Sequence, residues 1–109
     1  MVTEVAADTQ TTVLTTEHEL VNETTAGFYF GKISLKNMAS GDTVQIRYYT
    51  KIISGGAENC FMESFTDAQP EGLSQFKNFA PIYEAISVRI TIKQTAGVVN
   101  DFEYAFYRQ

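Results

Sequence analysis

Thr43-Val44-Gln45-Ile46-Arg47-Tyr48-Tyr49-Thr50-Lys51-Ile52 alternates apolar and polar side chains through most of its length. Val44, Ile46 and Tyr48 fall on one side of an extended chain, with Ile52 as a further member. Gln45, Arg47, Tyr49 and Lys51 fall on the other. A period of two marks a strand with one buried and one wet face, which is a habit of antiparallel sheets. Residues 85–94 repeat the pattern, with Ile86, Val88, Ile90 and Ile92 inward and Ser87, Arg89, Thr91 and Lys93 outward. The chain ends on a third such segment, residues 102–107, where Phe102, Tyr104 and Phe106 share a face. Burying each ring is worth about 1.5–3 kcal/mol. The final strand is therefore expected to be ordered and central in its sheet.

Weaker strand patterns surround these three. Residues 13–21 form a possible first strand, with Glu17-His18-Glu19 at an edge or bulge. Residues 28–35 form another, in which Gly31 signals a bulge or a close approach of backbone. Residues 59–65 follow, and residues 76–83 are expected to be irregular or a short edge strand around Pro81. Turn formers separate the segments at residues 36–42, 54–57, 67–72 and 95–101. Glu71 to Phe79 is the one helical candidate, and it is short and carries a glycine. The pattern predicts an all-β domain, a small antiparallel β-sandwich, jelly-roll-like or Ig-like, of about seven to eight strands. Residues 1–12 are Thr-rich and without period. They are expected to be a flexible or docking N-terminal arm, with Val2 and Val5 as its apolar contacts, ahead of one sandwich domain over residues 13–109.

Composition agrees. The chain has 109 residues, which suits a single domain, and 44% are hydrophobic. Eight Phe, six Tyr and thirteen Thr favour pleated sheet. The net charge of −5 and pI near 4.7 disfavour nucleic acid and anionic membranes as partners. Charge is unevenly spread. Residues 1–31 hold Glu4, Asp8, Glu17, Glu19 and Glu23 and no Lys or Arg, whereas residues 32–51 hold Lys32, Lys36, Arg47 and Lys51 against Asp42 alone. Such a split is either an ordinary solvated surface or an acidic amino-terminal segment meeting a basic strand face, in the same subunit or a neighbour.

A search for chemistry finds little. His18 is the only histidine, and on a strand it points away from Glu17 and Glu19. Those two carboxylates read as a solvated acidic edge. Cys60 is the only cysteine, so no intrachain disulfide forms. Flanked by Asn59, Phe61 and Met62, it is expected to be a small buried hydrophobe. Asp42 reads as a turn former. There is no Gly-rich phosphate loop, no nucleophile elbow and no calcium loop. No catalytic residue, metal ligand or cofactor is assigned. The start lacks the basic and apolar regions of a secretory signal, and the sequon at Asn22-Glu23-Thr24 is discounted accordingly. Arg47, Tyr49, Lys51, Arg89 and Lys93 would share one outer face if their strands are neighbours. That face is the candidate protein-contact site, suited to an acidic partner.

Residues 33–53, Ile-Ser-Leu-Lys-Asn-Met-Ala-Ser-Gly-Asp-Thr-Val-Gln-Ile-Arg-Tyr-Tyr-Thr-Lys-Ile-Ile, are followed much later by Val88-Arg-Ile-Thr-Ile-Lys-Gln-Thr-Ala-Gly97 and an aromatic last strand. Together they resemble small β-sandwich proteins encoded among the virion genes of tailed phages and archaeal viruses, decoration (cement) proteins and other capsid-associated parts among them. The resemblance spans residues 28–107 and carries over no functional residue. It implies a non-enzymatic structural role in a virion, the chain being synthesised in the host cytoplasm. The expected partners are further copies of the chain and a major capsid protein, with no nucleic acid and no membrane. The alternative is a carbohydrate- or receptor-binding sandwich, with Tyr29, Tyr49, Tyr83 and Tyr107 expected to be exposed for stacking on sugar rings.

Overall fold

A computed structural model describes residues 1–69 and 75–109, and every regular element among them is a strand: β1 (Thr3–Thr11), β2 (Glu17–Glu23), β3 (Gly27–Ser34), β4 (Thr43–Lys51), β5 (Glu58–Thr66), β6 (Phe76–Glu84), β7 (Val88–Ala96) and β8 (Asp101–Arg108). They form two four-stranded sheets, β1-β8-β3-β6 (sheet A) and β2-β7-β4-β5 (sheet B), with every pairing antiparallel. Among the described strands, only β4 and β5 are consecutive in the chain and in the same sheet. Every other connection crosses between sheets, which is the winding of an eight-stranded jelly roll.

The period of two explains the core. Val44 and Ile46 of β4, and Val88, Ile90 and Ile92 of β7, lie buried on the inner face of sheet B. Tyr29 and Ile33 of β3, and Phe102 and Phe106 of β8, meet them from sheet A. The carboxyl-terminal strand sits between β1 and β3, as its aromatic content requires. Gly31 serves both roles expected of it. The β3–β6 register shifts between Tyr29 and Gly31. A side chain on Gly31 would collide with the Ala105 carbonyl and lie 2.8 Å from the Phe106 Cα. The bare backbone lets β8 press the Phe106 ring into the core beside Phe79, at 5.4 Å between centroids.

One end of the barrel-like stack is closed by polar contacts. Asp42 is buried and accepts hydrogen bonds from Ala39 N (2.9 Å), Val98 N (3.1 Å) and Asn100 Nδ2 (3.0 Å). Beside it, Thr12 Oγ1 donates to Gln94 Oε1, and Gln94 Nε2 donates to the carbonyls of Ala96 and Val98. Gly97 (φ +94) has no room for a side chain against Asp42, and its backbone conformation favours glycine in any case. Asp42 is thus more than a turn former. It ties the turn before β4 to the turn before β8.

Several expectations change. Residues 3–11 are a regular strand and not a flexible arm. They pair with β8 from Thr3↔Arg108 to Thr11↔Asp101, because β8 would otherwise carry an open edge, and Val5 and Ala6 pack on the core. Val2 is exposed beyond the end of the strand. The expected strand over 13–21 is β2 over 17–23, at the edge of sheet B, with the register shift between Glu19 and Val21. Residues 76–83 lie in a full nine-residue edge strand, whose Pro81 sits at an edge where its missing donor costs no ladder bond. The helical candidate is strand from Phe76 onward, and its residues 71–74 lie outside the described ones. Ile52 lies past the end of β4 and is 72% exposed. Cys60 is exposed, because it lies opposite Tyr49 on the outer face of β5, an edge strand on which its neighbour Phe61 is 64% exposed as well.

Candidate protein-contact site

The basic set singled out in the sequence does come together. β4 and β7 are neighbours, with Tyr49 opposite Arg89 and Gln45 opposite Lys93, so Arg47, Tyr49, Lys51, Arg89 and Lys93 share the outer face of sheet B. What the sequence hides is that β2 and β5 bring carboxylates to the same face. Arg89 donates through Nε (3.2 Å) and Nη2 (3.0 Å) to the two oxygens of Glu58, lies 3.6 Å from Glu19, and covers the Tyr49 ring at 3.9 Å. The Tyr49 hydroxyl (2.7 Å) and the Thr91 hydroxyl (2.6 Å) both donate to Glu17 Oε2. Four cations therefore face three carboxylates, and the acidic amino-terminal region meets its basic strand face within one subunit. Arg47 Nη2 donates to Gln45 (2.8 Å), and its buried Nη1 has no partner among the described residues. Arg89 covers one face of the Tyr49 ring, so that face is closed to a sugar ring.

This network sets an acid response. Burial acts to raise the Glu17 carboxyl, but the hydrogen bonds from Thr91 and Tyr49, with Arg47 and Arg89 nearby, hold it below its ordinary value of 4.5. Glu58 is also lowered, chiefly by its hydrogen bond from Arg89. A carboxylate lowered in the folded state adds stability that is full above its unfolded value and is lost as pH falls through its folded one. Stability should therefore decline as pH drops below about 4.5. Glu17→Gln should lower stability at neutral pH by about 0.5 kcal/mol, given the exposed setting. Its curve should meet the parent's in acid, as read by urea unfolding across pH. Parallel curves for the two proteins would refute this.

Sheet A has a different exterior. Tyr29, Gly31 and Ile33 point inward, so Phe28, Phe30 and Lys32 point outward. Across the pairings, Tyr83 and Phe76 of β6 and Tyr107 of β8 join them. Phe28 and Tyr83 pack edge to face at 5.3 Å, and Phe30 stacks with Tyr107 at 5.7 Å. Lys32 Nζ lies 5.1 Å from the Phe76 ring centroid. Phe28, Phe76 and Tyr83 are each about half exposed. A groove of about 480 Å³ runs past Lys32, Lys36, Phe76 and Glu103. This exposed aromatic face is a second candidate contact surface. The signal for it was present in the run Phe28-Tyr29-Phe30, which makes both faces of one strand apolar. Of the four Tyr residues expected to be exposed, Tyr29 is buried at 2%, its hydroxyl donating to the Thr25 carbonyl, and Tyr83 is open at 56%.

A second apolar opening lies where the edges of the two sheets part, between β5 and β6. Phe61 and Ile82 line it above Tyr48 and Phe79, in a volume of about 350 Å³. The Lys77–Glu63 ion pair at 2.8 Å bridges it. Just inside, Glu84 is buried and accepts from the hydroxyls of Tyr48 and Thr50. Burial, then Glu84, pushes the Tyr48 hydroxyl far above the ordinary tyrosine range. Among the described residues, no group of three or more His, Cys, Asp or Glu is placed to hold a metal ion.

An eight-stranded jelly roll with one face of mixed charge and one aromatic face defines the class of this protein. No family model and no curated protein matches the sequence. Among solved structures, the chain is similar to a chain in the crystal structure of the infectious bursal disease virus VP2 subviral particle, with a TM-score of 0.48 and 11% identity over 98% of this chain. This chain spans 31% of the length of that one.

Proposed function

We propose that the chain is a structural part of a virus particle, a decoration or cement protein or another capsid-associated component. On this reading it acts by protein–protein contact in many copies, bound to copies of itself and to a major capsid protein. It needs no catalysis and no cofactor, and it reaches the virion from the host cytoplasm. The observation that carries the reading is the jelly-roll winding with an unpartnered aromatic outer face on sheet A. That architecture serves both capsid and lectin domains, and such a face is suited to protein burial. The resemblance of residues 33–53 and 88–97 to virion-associated sandwiches points the same way. Many weak copies of one contact make a strong shell.

Mass spectrometry of purified particles from cells that express the chain tests this directly. Peptides of the chain should copurify with the particle band at a stoichiometry approaching that of the main shell protein. Their absence from intact particles would end the reading. Binding on a glycan array, without particle association, would instead favour the sugar-binding alternative.

A further inference from the structure

We infer that the outer face of sheet A pairs with the same face of a second copy, about a twofold axis running parallel to the strands between β8 and β3. This deepens the proposed function by naming a partner, and it rests on that reading only in taking the face as a protein contact.

The face is divided by charge along that line. Its β1–β8 half carries Glu4, Asp101 and Glu103 and no cation, and its β3–β6 half, with the turn after β3, carries Lys32 and Lys36 and no acid. Lys32, Lys36 and Glu103 make no ion pair among the described residues, whereas Arg89 at the centre of the opposite face pairs with Glu58 and Glu19. A twofold along the strands lays β8 of one copy over β3 of the other and β1 over β6. By the registers Thr9↔Glu103, Ile33↔Tyr104 and Ser34↔Phe76, Glu103 of the second copy comes down over Ser34, between Lys32 and Lys36. The symmetry repeats the contact in reverse, as an isologous interface requires.

Size is complementary along the same rows. Phe76 meets Thr9 and Asn78 meets Ala7, so larger side chains of β6 fall on small ones of β1, and Tyr83 comes over the exposed Val2 just ahead of that strand. The stacked Phe30–Tyr107 pairs of the two copies meet on the axis. Area suffices as well. Four strands of eight or nine residues make a face of roughly 19 by 27 Å from strand spacing and rise. That is roughly 500 Å² per copy, and the pair reaches the threshold of about 1,000 Å² for a specific interface. Two sheets stacked this way keep their strands within about 30° of parallel, an ordinary packing angle.

Light scattering on a sizing column should give the full chain a mass of twice 12.2 kDa. Lys32→Glu and Glu103→Lys, each at an exposed position, should separately weaken the dimer about tenfold or more by setting like charges face to face. The double variant should restore it, because each altered residue meets the other's position across the axis. Circular dichroism checks that all three variants keep the β-sheet spectrum. A monomeric parent protein, a dimer indifferent to both single changes, or a double variant no better than the singles would each overturn the proposal. Particle mass spectrometry reads the virion role separately. A dimer absent from particles would leave this interface standing, and a monomer found in particles would remove it alone.

Discussion

Phe106→Ala is expected to remove about 3–5 kcal/mol of stability, a large share of the roughly 5–15 kcal/mol that holds a domain together. Phe106 is 1% exposed, packs against Phe79 and Tyr104, and sits where Gly31 clears space for it. Removing the ring leaves a cavity that β8 cannot close, because β1 and β3 hold it on both sides. Urea unfolding followed by circular dichroism measures the loss. Ile52→Ser is the control, since Ile52 lies past the end of its strand, and it should change stability by no more than about 0.5 kcal/mol. A loss at Phe106 under about 1 kcal/mol would mean that the core is not built as described.

Asp42→Ala should cost about 2 kcal/mol, because it takes the shared acceptor from three part-buried donors at once. Ala39 N, Val98 N and Asn100 Nδ2 all point at the one carboxylate, and the turns they belong to precede β4 and β8. Asp42→Asn keeps the shape but turns an amide group toward donors, so its loss should be intermediate. Hydrogen exchange should place the added opening in residues 97–100 and 39–42 before the sheets themselves. An Ala variant as stable as the parent would show that water satisfies these donors equally well.

The inner halves of β4, β7 and β8 could be read directly from the chain. Val44, Ile46, Ile90, Ile92, Phe102 and Phe106 alternate with polar residues, and the structure buries all six. The double meaning of Gly31 was also readable, because a glycine amid large residues has few other uses. Both ends of the strand list were harder. Residues 3–11 carry no hydrophobic period, and they become β1 through the backbone of β8, whose partners lie ninety or more positions away. β6 is exposed along most of its length and contains Pro81, so its pattern is that of an edge with little to bury.

The contact faces show the same division. Grouping Arg47, Tyr49, Lys51, Arg89 and Lys93 on one face needs only strand parity and adjacent strands. Knowing that Glu17, Glu19 and Glu58 quench them needs the strand order, which places β2 and β5 on either side. Cys60 and Tyr29 were misplaced for a related reason. One-residue parity decides inward or outward, and the chain alone does not say which parity the neighbouring strand will accept.

Local alternation, a property of covalent geometry and water, was enough to make this chain a two-sheeted all-β domain with an aromatic last strand at its centre. The order β1-β8-β3-β6 over β2-β7-β4-β5, and with it the choice of a face of mixed charge on one sheet and an aromatic one on the other, came only from tertiary pairing. Strand partners are selected by contacts between residues far apart in the chain, and no local pattern records them.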